Sequence, residues 1–269
     1  MRILTWNLWW RFGPWEERQP AIAAEFDRLD PDVALLQEVW SADGEDQAAI
    51  LAERSGRYYA RTTTPDGDPQ KFGNAILSRW PIQSSQMVRL PDEHGEPSHR
   101  SALAATILTP AGPQLFTVTH LAWQYDASVL RLAQLEKVVA LVEELRTDGE
   151  EDPPAIIGGD FNAMPDSDEI RRMTGLSAPF VPGQVYTDCW AAVGEGPGYT
   201  WTRDNPHSVD ALWPRRRLDY VFVAWPRPKP LCNPLSAQLA GVSPIAGIVP
   251  SDHYAVVVEL DDRQTLDHE

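Results

Sequence analysis

A chain of 269 residues with 43% hydrophobic and 23% charged residues has the makeup of a globular protein with ample core, suited to one large domain or two small ones. The absence of a long apolar run argues against a transmembrane helix. Two cysteines, Cys189 and Cys232, argue against a disulfide framework or a cysteine zinc site and leave one bridge open. The formal net charge of −16 opposes tight non-specific binding to duplex DNA, whose phosphates such a field repels.

In chain order, Met1 to Leu8 reads as a strand from the first residues, with no signal-peptide pattern, so a cytoplasmic location is expected. An aromatic loop, Trp9 to Trp15, precedes a helix over 16–29 with Ile22, Phe26 and Leu29 at helical spacing. Val33 to Leu36 is a buried strand that delivers Gln37 and Glu38 at its end, and a second helix covers 45–55. Tyr58 to Thr63 reads as an edge strand before a polar loop, Thr64 to Pro69. Strands over Asn74–Ser78 and Ile82–Leu90 follow, and then a hairpin of Leu103–Leu108 with Gln114–Thr119 that ends at His120. Ser128 to Arg146 carries Leu132, Leu135, Val138, Val139 and Val142 at core spacing and is the clearest helix.

Pro154 to Ile157 is a short buried strand stopped by Gly158-Gly159, which places Asp160 and Asn162 at its lip. If the backbone stays extended, these two side chains share a face. A carboxylate beside a carboxamide suits a hard divalent cation and a phosphate oxygen; the same residues also make an ordinary Asx turn. A short helix follows Pro165, the stretch 174–214 is irregular, and strands over Leu218–Val223 and Tyr254–Leu260 flank a proline-rich loop. Alternating strands and helices predict mixed-sheet α/β layering. Acidic stretches, Asp148 to Asp152 and Asp261-Asp262, read as solvated faces.

Seven short motifs stand in order: Trp6-Asn7-Leu8, Gln37-Glu38, Gly73 to Ser78, Thr119-His120-Leu121, Gly159-Asp160-Phe161-Asn162, Arg217-Leu218-Asp219-Tyr220 and Ser251-Asp252-His253. Each alone is weak; together they resemble the endonuclease/exonuclease/phosphatase superfamily. The resemblance runs from residue 2 to about 260. It implies a DNase I-like four-layer α/β sandwich, two mixed sheets packed face to face with helices outside. One catalytic domain over 1–262 and a short acidic tail over 263–269 are expected.

The motif residues sit at or just past strand ends, which in a layered sheet fold converge on one cleft. So many carboxylates are costly to bury without a cation, and oxygen donors favour Mg²⁺ or Mn²⁺ over zinc. Glu38 is the first candidate ligand, with Asn7 beside it and Asp252 as a ligand or a group acting through water. His253 is the general base or charge stabiliser, and Asp219 orients its ring unless it pairs with Arg217 instead. In the matching family pair the two roles of His253 both stay open. Asp160 would position the nucleophile, Asn162 a phosphate oxygen, and His120 the charge of the transition state. The family's phosphatase and phospholipase-like branches carry a histidine at the position of His120.

Asn74 and Arg100 are candidates for supporting and reaching the phosphate. Trp9 and Trp123 are candidates for a platform under a remote part of the substrate, although packing of the loops explains such tryptophans equally. Arg215-Arg216-Arg217 either binds one phosphate or braces a loop. The expected chemistry is phosphoester hydrolysis by in-line attack of water, helped by Mg²⁺ or Mn²⁺. The acidic composition places a small phosphorylated molecule, a sugar phosphate or a lipid head group ahead of nucleic acid. A nuclease or DNA-end-processing enzyme is the alternative, and a non-catalytic scaffold on the same fold a further one.

Overall fold

The computed structural model describes residues 1–42, 44–63, 72–147, 149 and 152–263. The polar loop Thr64–Pro69, most of the acidic stretch around 150 and the tail from 264 lie outside the described residues.

The chain begins with β1 (Arg2–Asn7), α1 (Trp15–Leu29), β2 (Val33–Ala42), β3 (Glu45–Asp46) and α2 (Gln47–Ser55). Next come β4 (Tyr58–Arg61), β5 (Phe72–Ser78), β6 (Ile82–Pro91), β7 (Pro97–Thr109), β8 (Gly112–His120) and α3 (Ser128–Leu145). Then follow β9 (Ile156–Asp160), α4 (Asp168–Met173), β10 (Val185–Asp188), α5 (Cys189–Val193), β11 (Trp201–Thr202) and β12 (Arg215–Arg216). The chain closes with β13 (Asp219–Trp225), β14 (Pro234–Ala240) and β15 (Ala255–Leu260).

Two mixed sheets carry the fold. One runs β14-β15-β1-β2-β5-β4, with β3 attached to β2; the other runs β10-β13-β9-β8-β7-β6. Each holds one parallel pair near its middle, β1 with β2 and β8 with β9. Period-two alternation then sorts the side chains. Ile3, Val33, Leu35 and Ile76 meet Phe116, Val118, Ile156 and Val221 between the sheets. Leu4, Trp6, Ala34 and Leu36 face α1 and α2 through Ile22, Phe26 and Leu51. On the other outer side, Leu135, Val138 and Val142 of α3 cover Ala102, Ala104, Ile157 and Phe222. The layers are helix, sheet, sheet, helix, as expected.

Local signals explain the helix limits. Asp46 accepts from the amides of Ala48 and Ala49 at the start of α2, and Gly56 closes it with φ 64°. Ser167 accepts from Ile170 at the start of α4.

Several details differ from the sequence expectations. The strands β5 and β6, adjacent in sequence, belong to different sheets, so Arg79-Trp80-Pro81 crosses from one sheet to the other, which the sequence did not indicate. The stretch read as irregular contains β10, α5 and β11, and the proline-rich loop contains most of β14. Both β10 and β14 are sheet edges whose partners, β13 and β15, lie well away in sequence, so pairing rather than local pattern makes them strands. Cys189 and Cys232 are buried and free, which removes the open bridge.

Candidate active site

The two parallel pairs end side by side, and that places the chemistry. Asn7 closes β1, His120 closes β8 and Asp160 closes β9, with His120 and Asp160 register partners. Across the sheet, Asp219 opens the antiparallel β13 directly opposite Asp160. The strand β9 extends through Gly158 and Gly159 rather than stopping at them. A Cβ on Gly159, at φ 152°, would overlap the Thr119 carbonyl oxygen, and one on Gly158 would press on Leu35. The paired glycines let β9 approach both neighbours and still carry Asp160 at its tip.

The strand β2 does not end at Glu38. It continues to Ala42 across an irregularity between Leu36 and Val39, and Glu38 sits there at φ 52°. Asn162 lies at φ 49°, so the backbone after Asp160 turns instead of staying extended. The Asx turn is real: Asp160 Oδ1 accepts from the Asn162 amide at 2.9 Å. Trp9 and Trp10 also have positive φ, so left-handed, non-glycine backbone gathers around this cleft.

Asp160 Oδ2 is the centre of the arrangement. Asn7 Nδ2 donates to it at 3.1 Å and also approaches Glu38 Oε1 at 3.4 Å. His120 Nε2 stands 3.4 Å from the same oxygen, and His253 Nε2 stands 3.8 Å away. The other nitrogen of His253, Nδ1, is 2.8 Å from Asp219 Oδ2. Ser251 ties the segments together, its hydroxyl donating to the Asn7 carbonyl at 2.7 Å. Asn7, Glu38, His120, Asp160 and His253 line a cleft of about 260 Å³ together with Trp9, Arg100, Trp123 and Asp252. A larger cleft, about 650 Å³, lies at the opposite end of β9 around Pro154 and Gln184 and holds none of these groups.

Burial sets the electrostatics. Desolvation, with the nearby Asp252 charge, pushes Glu38 up to about 7. Desolvation and Asp219 raise Asp160, and Asp252 is raised mainly by burial. The two histidines diverge. Burial, Arg100 and the charge of His253 hold His120 well below the ordinary value, so it is neutral near pH 7. Burial also pulls His253 down, but Asp219, Asp160 and Asp252 more than offset it and leave it well above.

The donor set fits a hard divalent cation. Glu38 Oε2 is buried without a hydrogen-bond partner among the described residues. Asp160, Asp219 and His253 present one ligand atom each within 4.8 Å of one another. The hydrogen bond already joining Asp219 to His253 makes that pair the poorer place for an ion, which would have to break it.

Of the expected residues, Asn7, Glu38, His120, Asp160, Asn162, Asp252, His253, Arg100, Trp9 and Trp123 all line the cleft. Asp219 lies behind His253, fully buried. Asn74 does not line it; its amide donates to Ser101 O at 2.7 Å and joins β5 to β7 beneath. Asp219 does not pair with Arg217, which instead makes two bonds to Asp188, at 2.9 and 2.8 Å. Arg217 is therefore the brace of the arginine triplet, whereas Arg216 lines the cleft. The tryptophans divide likewise: Trp40 is buried edge-on against Trp15, while Trp123 is 58% exposed at the mouth.

Sequence reasoning missed Tyr125 and Phe12 in the lining. It also missed Arg18, which donates to the carbonyls of Leu8, Pro250, Trp9, Trp10 and Phe12 at 2.8–3.1 Å. A charged residue facing Ile22-type positions inside a helix pattern was the available signal.

A sequence model described as the Endonuclease/Exonuclease/phosphatase family matches residues 4–253. The chain belongs to this family. Protein angel of Drosophila melanogaster is 27% identical over 178 residues, covering 61% of this chain and 48% of that protein. Nocturnin of Xenopus laevis is 27% identical over 261 residues, covering 91% of this chain and 64% of its own length. The chain thus spans less than two thirds of either relative. Among solved structures, D. rerio TDP2 complexed with single strand DNA product has a TM-score of 0.76 at 22% identity, covering 96% of this chain and 97% of that one.

Family membership and the acidic–histidine cluster support a phosphoesterase-type activity. The preference for a small phosphorylated molecule or lipid head group over nucleic acid is overturned, since a protein of this fold holds single strand DNA product. The physical reason is that net charge averages over the whole surface, while two guanidiniums, Arg100 and Arg216, line the cleft itself. No helix among the described residues is long and apolar enough to cross a membrane.

Proposed function

We propose that residues 1–262 act as one catalytic domain, a divalent-cation-dependent phosphodiesterase that cleaves nucleic acid, with single-stranded segments or ends as substrate. The observation that carries the reading is Asp160 Oδ2 standing 3.4 Å from His120, which is neutral, and 3.8 Å from His253, which is protonated. Environments that drive paired groups apart mark acid and base assignments.

Glu38, Asn7 and Asp252, which line the cleft together, would hold Mg²⁺ or Mn²⁺. When bound, the ion polarises a phosphoryl oxygen and offsets the charge of the carboxylates. Asp219 fixes the His253 ring through Nδ1, which leaves the Nε2 proton facing the cleft to donate to an oxygen gaining charge. Asp160 accepts from the attacking water and orients it for in-line displacement. The second amide hydrogen of Asn162, whose first is spent on Leu121 O at 3.1 Å, takes a non-bridging oxygen. Neutral His120 and the buried Arg100, whose Nη1 has no hydrogen-bond partner among the described residues, take the other.

The test is hydrolysis of a labelled single-stranded oligonucleotide with Mg²⁺, Mn²⁺ or EDTA, with His253→Ala as the control for contamination. Metal-dependent cleavage that disappears in the variant is expected. Cleavage that persists in the variant, or no cleavage of any oligonucleotide by a protein that binds Mg²⁺, overturns the proposal.

A further inference from the structure

Beside the reaction centre, Tyr125 and Trp213 meet at a tilt of 50° around Arg216. The two rings lie 5.1 Å apart between centroids. The Arg216 guanidinium sits 4.7 Å from the Tyr125 ring and 5.6 Å from the Trp213 ring. Arg216 is buried, and its Nε has no hydrogen-bond partner among the described residues. One of its terminal nitrogens donates to the Asn162 carbonyl at 3.2 Å, so the group is tied to the loop that carries Asp160 and Asn162. Arg216 and Tyr125 line the catalytic cleft, and Trp213 continues the row outward, 49% exposed.

A brace for a loop does not need this arrangement. Arg217, the next residue, shows what a brace looks like: a buried guanidinium paired through two parallel bonds with one carboxylate, Asp188. Arg216 has no carboxylate partner among the described ion pairs, yet feels the charge of Asp160 across the cleft. A buried cation without a paired anion, capped by two aromatic rings, one of them half in water, is the chemistry of a site for an anion joined to a flat apolar group. In a protein with a net charge of −16, stacking also supplies affinity that the overall field withholds.

We propose that Arg216, Tyr125 and Trp213 form a nucleoside subsite next to the reaction centre. The guanidinium takes a phosphate oxygen and the ring row stacks the adjoining nucleobase, with no preference among bases because every base offers a π face. This deepens the phosphodiesterase reading and rests on it.

The test uses three chromogenic diesters and the full chain with Mg²⁺ or Mn²⁺: methyl p-nitrophenyl phosphate, and the thymidine 5′- and 3′-(p-nitrophenyl phosphates). Wild type is expected to favour one thymidine ester over the methyl ester by about tenfold or more in kcat/KM, mainly through KM. Trp213→Ala and Tyr125→Ala should bring that ratio towards one, while Trp213→Phe and Tyr125→Phe, which keep a ring, should preserve most of it. A wild-type ratio near one, or variants that lose activity equally on all three esters, overturns the subsite and leaves the phosphodiesterase standing. Wild-type protein inert on all three esters but active on the oligonucleotide overturns the subsite alone; inert on both, it loses the phosphodiesterase reading and the subsite with it.

Discussion

Asp219 reaches His253 through a single 2.8 Å contact from Oδ2 to Nδ1, while its other oxygen, Oδ1, is buried with no hydrogen-bond partner. The carboxylate is thus committed to one imidazole. Its charge is among those that keep His253 protonated in spite of burial.

Removing that charge should separate orientation from electrostatics. Asp219→Asn is expected to lower kcat by about 100-fold or more, as loss of an orienting carboxylate does elsewhere. It should also lower the His253 pKa, which an NMR titration of the imidazole reads directly. A variant with unchanged turnover and unchanged titration would show that Asp219 is only a buried filler.

Protonation and cation binding should oppose one another. The folded state holds Glu38 up to about 7, and Asp160 is raised as well, whereas both ionise near 4 in the unfolded chain. Between about pH 4.5 and 7 the native state therefore binds more protons than the unfolded state, so the cation-free protein loses stability as pH rises. A cation needs those carboxylates ionised. The rise in thermal midpoint on adding Mg²⁺ over EDTA should accordingly grow from pH 5 to pH 7.5. A shift of equal size at both ends would mean that Mg²⁺ binds somewhere other than at these groups.

Arg18 joins two catalytic segments by five bonds to backbone carbonyls, four of them from Leu8 to Phe12 and one from Pro250. Its ion lies 4.6 Å over the Trp9 ring. Arg18→Ala should cost about 3 kcal/mol of unfolding free energy, the usual scale for stripping a buried charged donor from its partners. Denaturant unfolding measures it; a loss under about 1 kcal/mol would show that the loop holds itself.

Salt should affect the proposed nucleic-acid reaction only weakly. Arg100 and Arg216 are the cleft's two guanidiniums, and about 0.7 of a counterion is released per contacted single-strand phosphate. The slope of log kcat/KM against log salt on oligonucleotides should lie between about −1 and −2. A slope steeper than about −4 would reveal a basic track outside this cleft.

Much of this protein is written locally. The helices over Trp15–Leu29 and Ser128–Leu145 follow from 3.6-residue spacing of apolar side chains, which needs no knowledge of their partners. The strands that end at Asn7 and His120 follow from short apolar runs that stop at polar residues, whereas the third reads locally as stopping at Gly158 and runs on to Asp160; the cleft candidates come from those ends together with the family resemblance. Other features depend on segments far apart in the chain. Whether Arg216 or Arg217 faces the cleft is decided by Asp188, which captures Arg217 from across the sheet. Asn74 looks like a site residue until Ser101 of the other sheet claims its amide. Trp40 and Trp123 each follow a catalytic residue within three positions, but Trp40 is buried against Trp15 while Trp123 stays exposed at the mouth. Net charge, the one bulk property used to choose a substrate, misled because it has no position. Residue types and their local spacing determine which groups are available; the pairing of distant strands decides which of them meet, since a side chain's direction and its partner belong to the packed sheets and not to the run of residues around it.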